Sequence, residues 1–279
     1  MRSSWNIFSS ASEELRPIRG AAACAIVLGS GLSKLACGLE SLALIPYERL
    51  PGFGRTSVEG HPGFVSLCRL GGAPVLLFAG RFHAYEGAGG GALASPVMLA
   101  KYAGCSSIIV TQAAGSLTRR IPVRTWMLAT GVIPFPSRSG FRFNREPFGG
   151  ALRETGRRRA APVVSRGLSA ALRRAARVAR IPLAEGVLCW TSGPTYETAA
   201  EARAEAFMGA DAATMSSFPE LLAARRIGIE AACMSWITNH TANLSESRTV
   251  HAEVLDSADA GARSLGALVA AFLHARETP

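Results

Sequence analysis

The sequence predicts an α/β fold in which helices cover a mainly parallel β-sheet. The chain has 279 residues, of which 48% are hydrophobic and 18% charged. That is enough to bury a large core without a disulfide or a metal ion. Short apolar runs alternate with segments of helical periodicity, which is typical of parallel sheets. No repeat or long linker interrupts the alternation, so we expect one domain over 21–276, preceded by an N-terminal extension or helix over 1–20.

Short apolar runs are the predicted strands, and several of them end in small or polar residues. In chain order they are 24–28, 64–68, 73–80, 107–112, 186–190 and 230–237. Ligands of such sheets bind beyond the carboxyl ends of the strands. The small and polar residues at those ends are therefore the first candidates for a functional site.

Five segments between or after these runs have the periodicity of helices. They are 95–103, 166–180, 198–209, 217–227 and 250–274. In the last, Val254, Leu265 and Phe272 lie near one stripe, as a helix packed on a core requires. The stretch 134–165 is rich in Arg, Gly and Pro, and we expect a long loop there.

The formal net charge is +10, which raises the question of a nucleic-acid partner. Nine arginines lie between 153 and 180, with only Glu154 to oppose them. No aromatic residues interleave with them, as a platform for stacking bases would need. We favour the solvated face of a packed helix and expect no nucleic-acid partner.

The six cysteines form no CxxC pair and no Cys/His spacing typical of a metal site. Most lie in apolar runs, as buried free thiols do, so we expect a reducing cytoplasm and no bound metal. No uncharged apolar run is long enough to span a membrane. The first residues have no long apolar segment of the kind found in signal peptides.

Two segments suggest anion binding. Gly29-Ser30-Gly31 follows the first predicted strand, and its free N–H groups and hydroxyl suit an anion, although a simple turn is an alternative. In the second, Arg81, His83 and Tyr85 alternate, so an extended backbone would place them on one side. A guanidinium there suits phosphate, and a polar edge strand is the alternative.

The segment 193–198 precedes a predicted helix. Thr198 and Glu201 have the spacing of a capping box. Glu197 would then lie just before the helix, where its carboxylate either accepts from a heterocycle N–H or complements the helix dipole.

Three further polar positions follow predicted strands or begin helices. Ser216 is either an anion ligand or an N-cap, and His251 is either a ligand or a helix cap. Asn239 offers a donor and an acceptor to the edge of a base.

Together and in this order, these motifs resemble the trimeric class of purine nucleoside phosphorylases. The resemblance extends from about Cys24 to Phe272, and GRFHAYEG and GPTYET are its most specific parts. The motifs are VLGSGL (27–32), GHPG (60–63), GRFHAYEG (80–87), TQAAG (111–115), GPTYETAAEAR (193–203), GADAATMSSFPELLAAR (209–225), ITN (237–239) and HAEVL (251–255).

The resemblance implies a single α/β domain with a mixed, partly barrel-like sheet, a homotrimer, and a role in purine salvage. It implies phosphorolysis, in which a purine nucleoside and inorganic phosphate give the free base and ribose 1-phosphate, without a cofactor. The implied phosphate ligands are Ser30, Arg81, His83, the backbone of Ala113, and Ser216. The implied nucleoside contacts are Tyr85, Tyr196, Glu197, Met215, Asn239 and His251. His83, Glu197 and Asn239 are the implied catalytic residues.

This assignment agrees with the chemistry of the reaction. Phosphate stabilises an oxocarbenium-like sugar, and the leaving purine becomes negative, so donors toward it strengthen in the transition state. An ionised Glu197 accepts the N1–H of a 6-oxopurine, which adenine lacks. We therefore expect inosine and guanosine to be preferred over adenosine.

The sequence departs from the family pattern at several positions. Gln112 and Thr214 stand where the family usually has Asn and Gly, and the acids and histidine that the family carries after its central turn are missing from 123–134. The family also places an aromatic side chain across the trimer interface, and the candidates for it are Phe141, Phe143 and Phe148.

Three alternatives stay open. A methylthioadenosine phosphorylase would use the same chemistry, but it is expected to carry Asp in place of Asn239 and a different segment in place of GPTYET. A nucleoside-binding pseudoenzyme would bind the ligand without turnover. A basic nucleic-acid-binding protein would bind polynucleotides tightly at low salt.

Overall fold

The computed structural model describes residues 4–58, 60–135, 162–245 and 251–277. Within these ranges, the side chains of 4–6, 9, 12, 251–256 and 277 lie outside the description. Much of the predicted loop 134–165, including all three candidate interface phenylalanines, also lies outside the described residues.

The described residues form nine strands, and all six predicted strands are among them. They are β1 Cys24–Leu28, β2 Ser41–Pro46, β3 Phe64–Leu70, β4 Ala73–Ala79, β5 Ser107–Ser116, β6 Trp126–Pro134, β7 Leu183–Trp190, β8 Ala212–Thr214 and β9 Glu230–His240.

Sequence reasoning missed β2, β6 and β8. Strand β2 has a largely exposed pattern, and β8 is only three residues long. In β6, Thr130 and Gly131 interrupt the apolar run, at the point where the pairing with β7 shifts register.

The strands form one mixed sheet that partly closes on itself. Its order is β2-β3-β4-β1-β5-β8-β7-β6-β9, and β9 also pairs with β5. This additional pairing closes β5, β8, β7, β6 and β9 into a ring, so the expected partly barrel-like sheet is confirmed. Strands β4, β1, β5 and β9 run parallel to one another, which brings their carboxyl ends to one side of the sheet.

Seven α-helices surround the sheet in the described part of the chain, together with short 3-10 turns. They are α1 Ser12–Leu15, α2 Lys34–Cys37, α3 Gly90–Tyr102, α4 Arg166–Val178, α5 Ala199–Phe207, α6 Phe218–Ile227 and α7 His251–Glu277. All five predicted helices are present. The capping box is also confirmed, because Thr198 Oγ1 accepts from Glu201 N at 3.2 Å and Glu201 Oε2 accepts from Thr198 N at 2.9 Å.

The sheet separates two apolar layers. Along β1, Ala25 and Val27 belong to one layer, whereas Ile26 and Leu28 belong to the other, as the alternation of a strand requires. The N-terminal segment packs on the first layer through buried Phe8. The predicted boundary between an N-terminal extension over 1–20 and the domain over 21–276 stays a prediction.

Helix α4 carries much of the basic cluster. Leu168 and Leu172 are buried against the core, whereas Arg174 and Arg177 are exposed. The expected solvated face is therefore present. None of the helices in the described part of the chain is both long and apolar enough to cross a membrane.

Candidate active site

A cavity of about 710 Å³ lies at the carboxyl ends of the strands, where the sequence placed its candidate residues. Its wall contains nine of the eleven predicted site residues: Ser30, His83, Tyr85, Ala113, Tyr196, Glu197, Met215, Ser216 and Asn239. Arg81 is not part of the wall. His251 begins α7, and its side chain lies outside the described residues.

The glycine loop after β1 packs tightly on β5. A Cβ atom at Gly29 would lie 2.7 Å from the Cα of Gln112 and 2.8 Å from the carbonyl oxygen of Thr111, which is closer than real contacts allow. Only glycine fits there. This close approach brings Ser30 and Ala113, from two neighbouring strands, to the same end of the cavity.

Ser30 has a partner that the sequence analysis did not single out. His61 Nδ1 receives the backbone N–H of Arg81 at 3.0 Å, and His61 Nε2 lies 3.0 Å from Ser30 Oγ. Because Nδ1 accepts, a neutral His61 carries its proton on Nε2 and donates it to Ser30. The Ser30 hydroxyl hydrogen then remains available for an anion.

Glu86 holds His83 in place. The Glu86 Oε1 atom accepts from His83 N at 2.7 Å and from His83 Nδ1 at 2.9 Å. Burial raises the pKa of the Glu86 carboxyl, but hydrogen bonds from His83 and Ser57 outweigh burial and lower the pKa to about 2. An ionised carboxylate can only accept, so the His83 proton on Nδ1 is fixed and Nε2 is the nitrogen left for a ligand.

The expectation that Arg81, His83 and Tyr85 share one side of an extended segment is wrong. Residues Ala84–Glu86 form a 3-10 turn, and this turn stacks the rings of His83 and Tyr85 with their centroids 4.8 Å apart. Arg81 is 1% exposed and is not part of the cavity wall. Its guanidinium donates to Ser217 and to the carbonyl oxygen of Thr111, and it pairs with Glu220 at 3.3 Å.

The same cavity wall also carries a carboxylate and an amide, those of Glu197 and Asn239. Thr191 Oγ1 donates to Glu197 Oε1 at 3.4 Å. Burial, and next the neighbouring charge of Glu201, raise the pKa of Glu197, although hydrogen bonds partly oppose them. Asn239 is oriented by Thr238 Oγ1, which donates to its Oδ1 at 2.8 Å. These two groups can accept from and donate to a heterocycle.

Two side chains predicted to contact the sugar, Met215 and Tyr85, both approach Gly193. A Cβ atom at Gly193 would lie 2.6 Å from Met215 Sδ and 2.8 Å from Tyr85 Cδ1. Gly193 also has a φ of +66°, which disfavours any other residue. Gly193 therefore lets Met215 and Tyr85 close over this part of the cavity.

Ser216 lines the cavity and is not an N-cap, because the residue that caps α6 is Ser217. The alternative interpretation of Ser216 as a helix N-cap is therefore wrong. Thr214 stands close to two predicted anion ligands: its Oγ1 donates to the Ala113 carbonyl oxygen at 3.4 Å and accepts from Ser216 N at 3.3 Å. Within the described ranges, no three His, Cys, Asp or Glu side chains come together as they would around a metal ion.

The fold and cavity agree with comparisons to known proteins. The family model described as the phosphorylase superfamily matches residues 24–274, nearly the whole chain. Purine nucleoside phosphorylase 1 of Geobacillus stearothermophilus is 34% identical over 84% of this chain and 84% of its own length. Purine nucleoside phosphorylase of Mycobacterium tuberculosis is 35% identical over 88% of this chain and 87% of its own length.

Solved structures of purine nucleoside phosphorylases have the same fold as this chain. The complex of Schistosoma mansoni purine nucleoside phosphorylase isoform 2 with cytosine and ribose-1-phosphate superposes with a TM-score of 0.82 at 28% identity, covering 96% of this chain and 95% of that one. The complex of the Schistosoma mansoni enzyme with inosine gives 0.81 at 28% identity, covering 96% and 94%. The chain belongs to the purine nucleoside phosphorylases of the phosphorylase superfamily.

Proposed function

We propose that this protein catalyses the phosphorolysis of 6-oxopurine nucleosides to the free base and ribose 1-phosphate. One observation carries the proposal: the wall of a single cavity contains hydroxyl, imidazole and backbone groups suited to phosphate together with a carboxylate and an amide suited to a base. These groups come from separate strand ends and loops. Relatives that are 34% and 35% identical to this chain are named purine nucleoside phosphorylases.

At the phosphate end, Ser30, His83, Ser216 and the backbone of Ala113 bind the anion, and the Arg81 guanidinium acts on it from behind the wall. His61 leaves the Ser30 hydroxyl free to donate. A His83 ring that donates to phosphate from Nε2 while Nδ1 serves Glu86 carries a positive charge, which Glu86 compensates. Phosphate held here stabilises the developing sugar cation and then attacks C1′, while the bond to the purine breaks.

At the base end, Glu197 and Asn239 form hydrogen bonds with the purine. Asn239 donates toward N7 as the leaving base gains negative charge, and Glu197 accepts the N1–H. Tyr196 packs near the base, and Tyr85, Met215 and His251 contact the sugar. Adenine presents a lone pair at N1, which faces the Glu197 carboxylate unfavourably. A site built on this hydrogen bond discriminates strongly against adenosine.

The test is a coupled phosphorolysis assay with inosine, guanosine and adenosine, each with and without inorganic phosphate. We expect phosphate-dependent cleavage of inosine and guanosine. Asn239→Ala is expected to lower kcat/KM for inosine by about 100-fold, since it removes a donor that acts in the transition state. Asn243→Ala, an equivalent change outside the cavity wall, serves as the matched control and should retain activity.

Other results would favour other functions. Methylthioadenosine or adenosine as the best substrate would refute the assignment to 6-oxopurines and favour a methylthioadenosine phosphorylase. Tight binding of inosine without turnover would indicate a nucleoside-binding protein. Full activity of Asn239→Ala would remove the role given to the amide.

We also propose that the protein acts as a homotrimer in the cytoplasm, in purine salvage, with phosphate as co-substrate and no organic cofactor. The family resemblance supports the trimer. All six cysteines are free thiols, and five of them are buried, which supports a reducing compartment. Light scattering of the purified protein tests the trimer.

A further inference from the structure

A buried polar cluster extends from Gln112, which lies in the cavity wall, into the interior behind the phosphate end. It consists of Arg81, Gln112, Ser217, Glu220 and Ser235, each 2% exposed or less. Buried polar groups are costly unless they are hydrogen-bonded. The bonds within this cluster therefore constrain the position of each member.

The bonds form a chain from the strand β9 to the arginine. Gln112 Nε2 donates to Ser235 Oγ at 2.9 Å, which orients the amide. Ser217 Oγ donates to Gln112 Oε1. Arg81 Nη1 donates to Ser217 Oγ at 2.8 Å. The Ser217 hydroxyl thus gives its only hydrogen to Gln112 and receives the guanidinium on its lone pair.

Arg81 is held from three sides. Ser217 is its neutral side-chain partner, Glu220 Oε1 is its charged partner at 3.3 Å, and the carbonyl oxygen of Thr111 accepts from Nη2. Arg81 Nε makes no hydrogen bond to any residue in the described ranges. Without Ser217, Nη1 would keep only Glu220, and the guanidinium would be drawn toward that carboxylate.

We propose that Gln112 is a positioning residue for phosphate binding, which acts through Ser217 on the Arg81 guanidinium. The inference rests on the proposed function, because it takes Arg81 to serve the phosphate end of the cavity from behind its wall. The residues that flank the network, Ala113 and Ser216, are themselves at that end of the wall. Gln112 adjoins Ala113 and Ser217 adjoins Ser216, so the network is continuous with the subsite.

The length of the Gln112 side chain is the testable feature. Its amide reaches Ser235 with one end and Ser217 with the other. Gln112→Asn keeps the amide but shortens the side chain by one carbon, so it cannot make both bonds. Ser217→Gly removes the hydroxyl, and glycine tolerates the φ of +71° that Ser217 adopts. Ser217 is not in the cavity wall, so its effect must pass through Arg81.

The experiment measures the dissociation constant of inorganic phosphate by titration calorimetry without nucleoside, and then KM for phosphate and for inosine. Gln112→Asn and Ser217→Gly are expected to weaken phosphate binding and raise its KM by about 5- to 10-fold, which is the scale of one ordinary net hydrogen bond. KM for inosine and kcat at saturating phosphate should stay within about twofold. Ser169→Ala removes a buried hydroxyl in α4 that makes no hydrogen bond to the described residues and should change nothing.

Other results overturn this proposal, the proposed function, or both. Unchanged phosphate binding in Ser217→Gly would show that Ser217 does not position Arg81. Parallel losses in both KM values and kcat would indicate a purely structural role. A wild-type protein that does not bind phosphate would refute this proposal and the proposed function together. A wild-type protein that binds phosphate but does not cleave nucleosides would refute the proposed function alone, because the binding comparison still decides the role of Gln112.

Discussion

Glu205 is a fully buried carboxyl with no compensating partner among the described residues. It lies on α5 with no exposed surface, and neither of its oxygens accepts a hydrogen bond from the described residues. Burial, and next the charges of Glu197 and Glu201, raise its pKa from 4.5 to about 8. The folded state therefore keeps this proton at a pH where the unfolded chain has released it.

The shift sets the size and sign of a pH effect on stability. Below pH 4.5 both states hold the proton, and Glu205 adds no pH dependence. As pH rises toward 8, the unfolded chain releases its proton and the folded protein becomes relatively less stable. One pKa unit corresponds to about 1.4 kcal/mol, so between pH 5 and pH 9 Glu205 costs the fold about 4 kcal/mol.

Glu205→Gln tests this because it keeps the size of the side chain and removes the titration. Urea unfolding at pH 5, 7 and 9, followed by tryptophan fluorescence at fixed protein concentration, gives the free energy of unfolding. The variant should gain about 4 kcal/mol on the wild type between pH 5 and pH 9. The exposed Glu40→Gln serves as control and should stay within about 0.5 kcal/mol. Parallel pH curves for wild type and Glu205→Gln would refute the argument.

Two further predictions concern the cavity. Burial raises the pKa of Glu197, and the ionised carboxylate accepts N1–H more strongly than the protonated carboxyl does. The kcat/KM for inosine should therefore fall as the pH is lowered, beginning at a higher pH than for an ordinary carboxyl. In a pH–rate profile, Glu197→Gln should flatten this fall of kcat/KM at low pH. If the fall is unchanged in the variant, another group is responsible for it. Gly193→Ala should raise KM for inosine about tenfold or more, since the added Cβ meets Met215 and Tyr85 at 2.6 and 2.8 Å and a 1.4 kcal/mol loss already corresponds to tenfold. KM for phosphate serves as its internal reference, and a variant with wild-type KM for inosine would contradict the packing argument.

The sequence was most informative where local patterns decide the structure. Strand β1 and the Thr198 cap follow from apolar runs and capping spacing within a few residues. The orientation of Arg81 depends on Ser217 and Glu220, more than 130 residues further along the chain, and no local pattern contains that information.

The role of His61 was missed for the same reason. His61 stands in the GHPG motif, but its partner Ser30 lies 31 residues earlier in the chain. Strand β8 has only three residues, too few for a periodicity to show, and it exists because β5 and β7 pair with it. The elements that sequence reasoning missed are those made by tertiary pairing.

The pairing of β9 with β5 has a consequence at the other side of the sheet. Because β5, β8, β7, β6 and β9 form a closed ring, that side of the sheet has no unpaired strand. Strand β2, at the opposite side, is therefore the one open edge among the described strands. Leu42 and Leu44 on this edge are 47% and 52% exposed, so β2 is where two copies of the chain are most prone to aggregate by adding strand to strand. Pro46, at the end of β2, has no N–H to offer an incoming strand and limits how far such pairing can extend.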